Sequence, residues 1–147
     1  MVGRIGAGMP LFANALAAAL LCARADNYGK ACGQCHSCRL FETGLHPDLL
    51  RLEPDQESKS REIRIDDVRE IMAREGLGSG SGNKVLMISP ADQLNLSAAN
   101  AMLKTLEEPT PSTIILLLAE RIDHLPSTLL SRCQRINFLP PRPVITQ

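Results

Sequence analysis

Cys32, Cys35 and Cys38 stand in the run CGQCHSC at C-x2-C-x2-C spacing. Thiolates at this spacing can wrap one cation through tight turns, and zinc wants four such donors in a tetrahedron at about 2.3 Å from each sulfur. Cys22, His36, His46 and Cys133 are the candidates for the fourth position. Cys22, which closes the helix-forming run just ahead of the cluster, is the first choice, and His46 in HPD is the second. A zinc ion with four protein ligands has no open position, so such a centre is structural rather than catalytic. The five cysteines are an odd number and cannot all pair. Three of them crowded into one short polar window point to metal, because free cysteines prefer burial.

A second pattern opens the chain. Gly3 and Gly8 in GRIGAGMP have the glycine spacing of a phosphate-binding loop, G-x-x-x-x-G-K-[ST]. Met9 stands where the lysine belongs and supplies no charge to a phosphate. Pro10 stands where the hydroxyl belongs, supplies no ligand to Mg²⁺, and removes a backbone N–H from the helix start where phosphates dock.

These groups need a scaffold. Residues 11–22 read as a helix with Phe12, Leu16, Ala19 and Leu20 on one face. Residues 23–48 read as a loop rich in cysteine, glycine and polar residues. LLRLE (49–53) is a strand, and IDDVREIMARE (65–75) is a helix with acids near its start, where they suit the dipole. GLGSGSGN (76–83) is a loop. KVLMI (84–88) and TIILLLA (113–119) are apolar throughout, the mark of strands buried on both faces. SAANAMLKTLEE (97–108) is a helix that Ser97 can cap and Pro109 ends, with Ala99, Met102, Leu103 and Leu106 on its inner face. PSTLLS (126–131) is a short helix and QRINF (134–138) a last strand. Buried strands alternating with helices predict an α/β fold, a parallel sheet flanked by helices. Only Met1 and Val2 precede Gly3, so the strand that should feed the glycine loop is expected to be missing.

The chain of 147 residues is long enough for one domain with a real core. Sixteen basic residues balance sixteen acidic ones, which gives no global electrostatic pull toward nucleic acid. Three Phe, one Tyr and no Trp offer no obvious platform for base stacking. The stretch LFANALAAALLCARA imitates an export leader. Pro10 and Asn14 interrupt it, and Leu21 is bulky where a small residue is wanted, so a cytoplasmic protein is expected.

Four segments in order, CGQCHSCRLFETGLHPDLLRLEP, IRIDDVREI, NLSAANAMLKTLEEP and LPSTLLSRCQRINF, resemble the delta-prime branch of the bacterial DNA polymerase III clamp-loader subunits, members of the AAA+ family. The resemblance implies a P-loop-type AAA+ nucleotide-binding-like domain over 1–139, with a zinc module at about 22–48 and a tail at 140–147. It assigns zinc to Cys22, Cys32, Cys35 and Cys38. Members also carry a helical lid and a C-terminal helical collar, and neither is read in this sequence. The implied role is to help load the sliding clamp onto primed DNA, with gamma/tau and delta subunits as partners.

In AAA+ enzymes an Asp followed by a Glu comes after the strand equivalent to KVLMI. Ser89 and Pro90 stand there instead. With Met9 and Pro10, this predicts no functional ATP/Mg²⁺ site, which is similar to what the resemblance to delta-prime subunits implies. Arg132 in SRC is implied to be an arginine finger that reaches the ATP of a neighbouring subunit, with Lys104, Glu107 and Glu108 near that interface. Arg121 and Arg135 read as solvated, and Cys133 as a small buried residue. Two other functions compete with this one: a gamma/tau-type ATPase, which wants the lysine and acids missing here, and a zinc-dependent nucleic-acid-binding module, which neutral charge disfavours.

Overall fold

Val85, Leu86, Met87 and Ile88 are all buried. They form β3 (Lys84–Ile88), the central strand of a parallel ladder with β2 (Leu49–Leu52) on one edge and β4 (Thr113–Leu117) on the other. Leu50 lies opposite Leu86, which in turn lies opposite Ile115. The computed structural model describes residues 1–4, 6–57, 59–75, 82–108 and 112–140. Residues 76–81 of the expected loop, the expected helix stop at Pro109, and residues 141–147 of the expected tail lie outside the described residues.

The first strand is present, contrary to expectation. β1 (Val2–Gly3) pairs in parallel with β5 (Asn137–Phe138), and Val2 bridges Ala119 just past β4. The Val2 amide donates to Ile136 O at 2.8 Å and the Gly3 amide to Ala119 O at 3.1 Å. The pair β1-β5 thus lies beside the three-stranded ladder β2-β3-β4, joined to it by the bridge at Ala119. A strand of two residues carries no readable periodicity, so the sequence hid it. The last strand is also shorter than expected, covering 137–138 rather than 134–138.

Gly3 permits this pairing. A Cβ built there would meet Phe138 Cβ at 2.6 Å and Phe138 O at 3.0 Å. The first glycine of the phosphate-loop pattern thus allows β1 and β5 to approach closely.

Helices cover both faces. On one side α1 (Met9–Leu21) packs Met9, Ala13, Ala17 and Leu21 against Val85, Met87, Leu116 and Leu118. The expected inner face is corrected: Phe12 is 45% exposed, although its ring packs against Phe138 with centroids 5.3 Å apart. Ala13 and Ala17 are fully buried and let the helix axis come close to the sheet, while the larger Leu16 and Leu20 sit at the margin. In a helix so rich in alanine, apolar periodicity does not single out the inner face.

On the other side α3 (Ile65–Glu75), α4 (Leu96–Glu107) and α5 (Ser127–Leu130) bury Val68, Ile71, Ala98, Ala99, Met102 and Leu129 against Leu86, Ile88 and Leu117. The cap of α4 is Asn95, whose side-chain oxygen accepts from the Ala98 amide at 2.8 Å, rather than Ser97. The expected loop at 23–48 contains α2 (His36–Glu42), which starts at a cysteine sulfur.

Candidate metal centre, phosphate loop and Arg132

α1 ends at Leu21, so Cys22 is delivered by a helix terminus anchored on the sheet. Cys35 is the N-cap of α2 and Cys38 lies in its first turn. The ligand atoms of Cys22, Cys32, Cys35 and Cys38 all lie within 4.8 Å of one another. Two opposite edges of this set are 3.9 Å, Cys22 to Cys35, and 4.0 Å, Cys32 to Cys38. A tetrahedron with bonds near 2.3 Å has edges of about 3.8 Å, so these two edges lie close to the separation that zinc requires.

Backbone amides serve the same sulfurs. Arg24 N and Cys32 N donate to Cys22 Sγ at 3.3 Å each, Cys35 N to Cys32 Sγ at 3.4 Å, and Cys38 N to Cys35 Sγ at 3.4 Å. Such donors favour the thiolate, the form that binds metal. Amide bonds, that of Cys38 foremost, lower the Cys35 thiol to about 6, and the amides of Gln34 and Cys35 lower Cys32. Burial pushes Cys38 up to about 12, with its hydrogen bond to Cys35 acting in the same direction. The geometry and the donor set fit a tetrahedral thiophilic cation such as zinc.

The other candidate ligands lie elsewhere. His36 is exposed. His46 is buried, and both its ring nitrogens are engaged: Nε2 lies 2.7 Å from Ser37 Oγ, and Nδ1 accepts from the Asp48 amide at 3.1 Å. Burial lowers its pKa below the ordinary value. Cys133 lines a cavity of about 370 Å³ beside Met1 and Leu117, and burial pushes its thiol up.

The glycine loop makes the turn its pattern predicts. Gly8 is the N-cap of α1 in the left-handed region at φ 81°, a conformation that costs other residues dearly. Met9 does not face a ligand site: it is 6% exposed and packs in the core with Ala13 and Val85. Pro10 occupies the first turn of α1. Past β3, Ser89 and Pro90 line a cavity of about 510 Å³ with Glu53, Asp55 and Arg61. The next acid, Asp92, accepts from the Arg121 amide at 3.3 Å through Oδ2.

Arg132 follows α5. Its Nη1 donates to Thr128 O at 2.7 Å and its Nη2 to Glu107 Oε1 at 2.5 Å. Glu107 is the last residue of α4, so two helix ends share one guanidinium. Arg121 pairs with Asp123 at 3.4 Å, and Arg135 donates to Asn137 Oδ1 at 2.7 Å. Glu107, expected near Arg132, is its ion-pair partner, whereas Ser37 carries no motif of its own in the sequence. Among the described residues, no helix is long and apolar enough to cross a membrane.

The chain matches, over residues 1–142, a family model described as DNA polymerase III, delta subunit. It is 41% identical over 137 residues to the DNA polymerase III subunit delta' of Pseudomonas aeruginosa, covering 90% of this chain and 40% of that protein. The Escherichia coli subunit delta' is 37% identical over 139 residues, 94% of this chain and 40% of its own length. The Bacillus subtilis subunit tau is 32% identical over 136 residues, 92% of this chain and 23% of that protein. Among solved structures, a DNA polymerase III gamma subunit-related protein from Thermotoga maritima superposes with a TM-score of 0.53 and 29% identity, over 67% of this chain and 31% of that one. The chain thus spans 40% of the length of these delta' relatives.

Proposed function

The chain belongs to the DNA polymerase III delta-subunit family, and on that premise we propose that it serves as a clamp-loader subunit of the delta-prime type that does not itself hydrolyse ATP. One observation carries the second half of this reading. The residue at the lysine position of the phosphate loop, Met9, is packed into the core at 6% exposure. A loop that cradles β- and γ-phosphates needs a cation there and a hydroxyl next to it, and Met9-Pro10 supplies neither. Ser89 and Pro90 likewise bring no carboxylate to the end of β3.

In this reading residues 1–139 form an AAA+ domain, and Cys22, Cys32, Cys35 and Cys38 hold a structural zinc. The metal would supply cross-linking of α1 to α2, and the four thiolates leave no position for substrate. Arg132 acts on a neighbouring gamma/tau subunit: a guanidinium supplied in trans stabilises charge on the transferring phosphoryl group. Its position between a helix end and a strand, partly exposed, suits a group that must reach across an interface. The wider partners are delta, the sliding clamp and primed DNA.

The reading is tested with the full-length subunit. Added to gamma/tau and delta, it should be required for clamp loading on primed DNA, and glycine-loop substitutions that preserve its fold should leave loading intact. Loss of loading through a nucleotide-binding defect in this subunit would overturn the proposal.

A further inference from the structure

We propose that Ser37 and His46 are positioning residues of the cysteine centre, tying Cys22 to the other three thiols without touching any sulfur; the proposal rests on the zinc reading above. Four hydrogen bonds carry it. The Ser37 hydroxyl donates to the carbonyl of Leu21, the last residue of α1 and the neighbour of Cys22. Ser37 Oγ lies 2.7 Å from His46 Nε2. His46 Nδ1 accepts from the Asp48 amide at 3.1 Å, and Asp48 O accepts from the Val85 amide of β3 at 2.8 Å.

The direction of every proton in this relay is forced. The Asp48 amide can only donate, so Nδ1 must carry the lone pair and Nε2 the proton. The Nε2–H then donates to Ser37 Oγ, which leaves the hydroxyl proton for Leu21 O. That carbonyl is one of those a helix end leaves without an intrahelical partner. A neutral imidazole, 8% exposed and surrounded by matched partners, is therefore built in.

The relay joins three elements that bring ligands or support. Leu21 fixes the helix end that delivers Cys22. Ser37 lies between Cys35 and Cys38 in α2, and Asp48 fastens the arrangement to the sheet. Between Cys22 and Cys32 the chain is exposed over residues 24–30, held by a turn about Asp26 and by the Cys32 amide on Cys22 Sγ, and neither contact reaches α2. Ser37 is thus a direct tether between the first ligand's helix and the helix of the last two. Outer partners of this kind orient metal ligands, and their loss weakens metal binding by about 10- to 100-fold.

The test uses the full chain with zinc ion as probe, its affinity read by competition with a chromophoric chelator. Ser37→Ala and His46→Ala should bind zinc about 10- to 100-fold more weakly than wild type. Ser37→Thr, which keeps the hydroxyl, should restore affinity. In zinc-loaded Ser37→Ala, alkylation followed by mass spectrometry should find Cys22 selectively reactive, with Cys32, Cys35 and Cys38 protected. A general loss of packing would expose all four together. Should His46→Ala not fold, Ser37→Ala and Ser37→Thr decide. Wild type that binds no zinc overturns the zinc reading and the relay together. Wild type and Ser37→Ala binding with equal affinity overturns the relay alone.

Discussion

Arg132 Nη2 lies 2.5 Å from Glu107 Oε1, joining the segment after α5 to the last residue of α4. The pair is partly solvated, so its net contribution to stability is small, about 0–1 kcal/mol. A guanidinium held this weakly can be released to a phosphate across an interface. In the full-length subunit assembled with its partners, Arg132→Ala should lower the ATPase of the neighbouring subunit by about three orders of magnitude or more. Glu107→Gln, which keeps the guanidinium, should change it by no more than a few-fold. Unchanged phosphate release with Arg132→Ala would remove the finger role.

Gly3 faces Phe138 so closely that any Cβ collides with it. Gly3→Ala should destabilise the chain by about 1–3 kcal/mol, read as a lower urea midpoint. Gly8→Ala should cost about 1–2 kcal/mol through the left-handed backbone at φ 81° alone. Equal stability of wild type and Gly3→Ala would mean that β1 and β5 do not pair as described.

Purified under reducing conditions without chelator, the chain should carry about one zinc ion, as four thiolates predict. Removing it should lower the thermal midpoint, because ligation of α1 and α2 through one ion couples to folding. Cys22→Ser should weaken the metal, whereas Cys133→Ser should leave stoichiometry unchanged. Metal content near zero in the wild type would contradict the centre.

His46 gives stability a pH dependence of definite sign. Burial holds its folded pKa below the ordinary 6.5, so below that pH the unfolded chain binds more protons. Its contribution is complete above about 6.5 and is lost as pH falls toward the folded value. The groups facing the ring are Ser37, Asp48 and, at longer range, His36. Urea midpoints should fall more steeply between pH 7 and 5.5 in wild type than in His46→Gln. Parallel profiles would show that the ring titrates as it does in the unfolded chain.

Much of this arrangement was legible in the sequence where a single element carries the signal. Helix α3 and strand β3 match their expected limits, because one is amphipathic with acids at its start and the other is apolar between turn signals. The cysteine spacing was readable for the same reason, since it is a local turn property. Features set by tertiary contact were not readable. β1 exists because Ala119 and Ile136 flank two residues. The face of α1 is chosen by how closely Ala13 and Ala17 approach the sheet. Helix α2 starts at a cysteine sulfur. His46 reads as a spare ligand in the sequence, whereas in the fold Ser37 and the Asp48 amide occupy both its nitrogens.

Steady-state phosphate release is the direct test of the proposal that this subunit hydrolyses no ATP of its own. With ATP and Mg²⁺ present, the purified chain, alone and as the full-length subunit, should release phosphate no faster than a protein-free control. Steady turnover that disappears on substitution within the glycine loop would contradict that proposal.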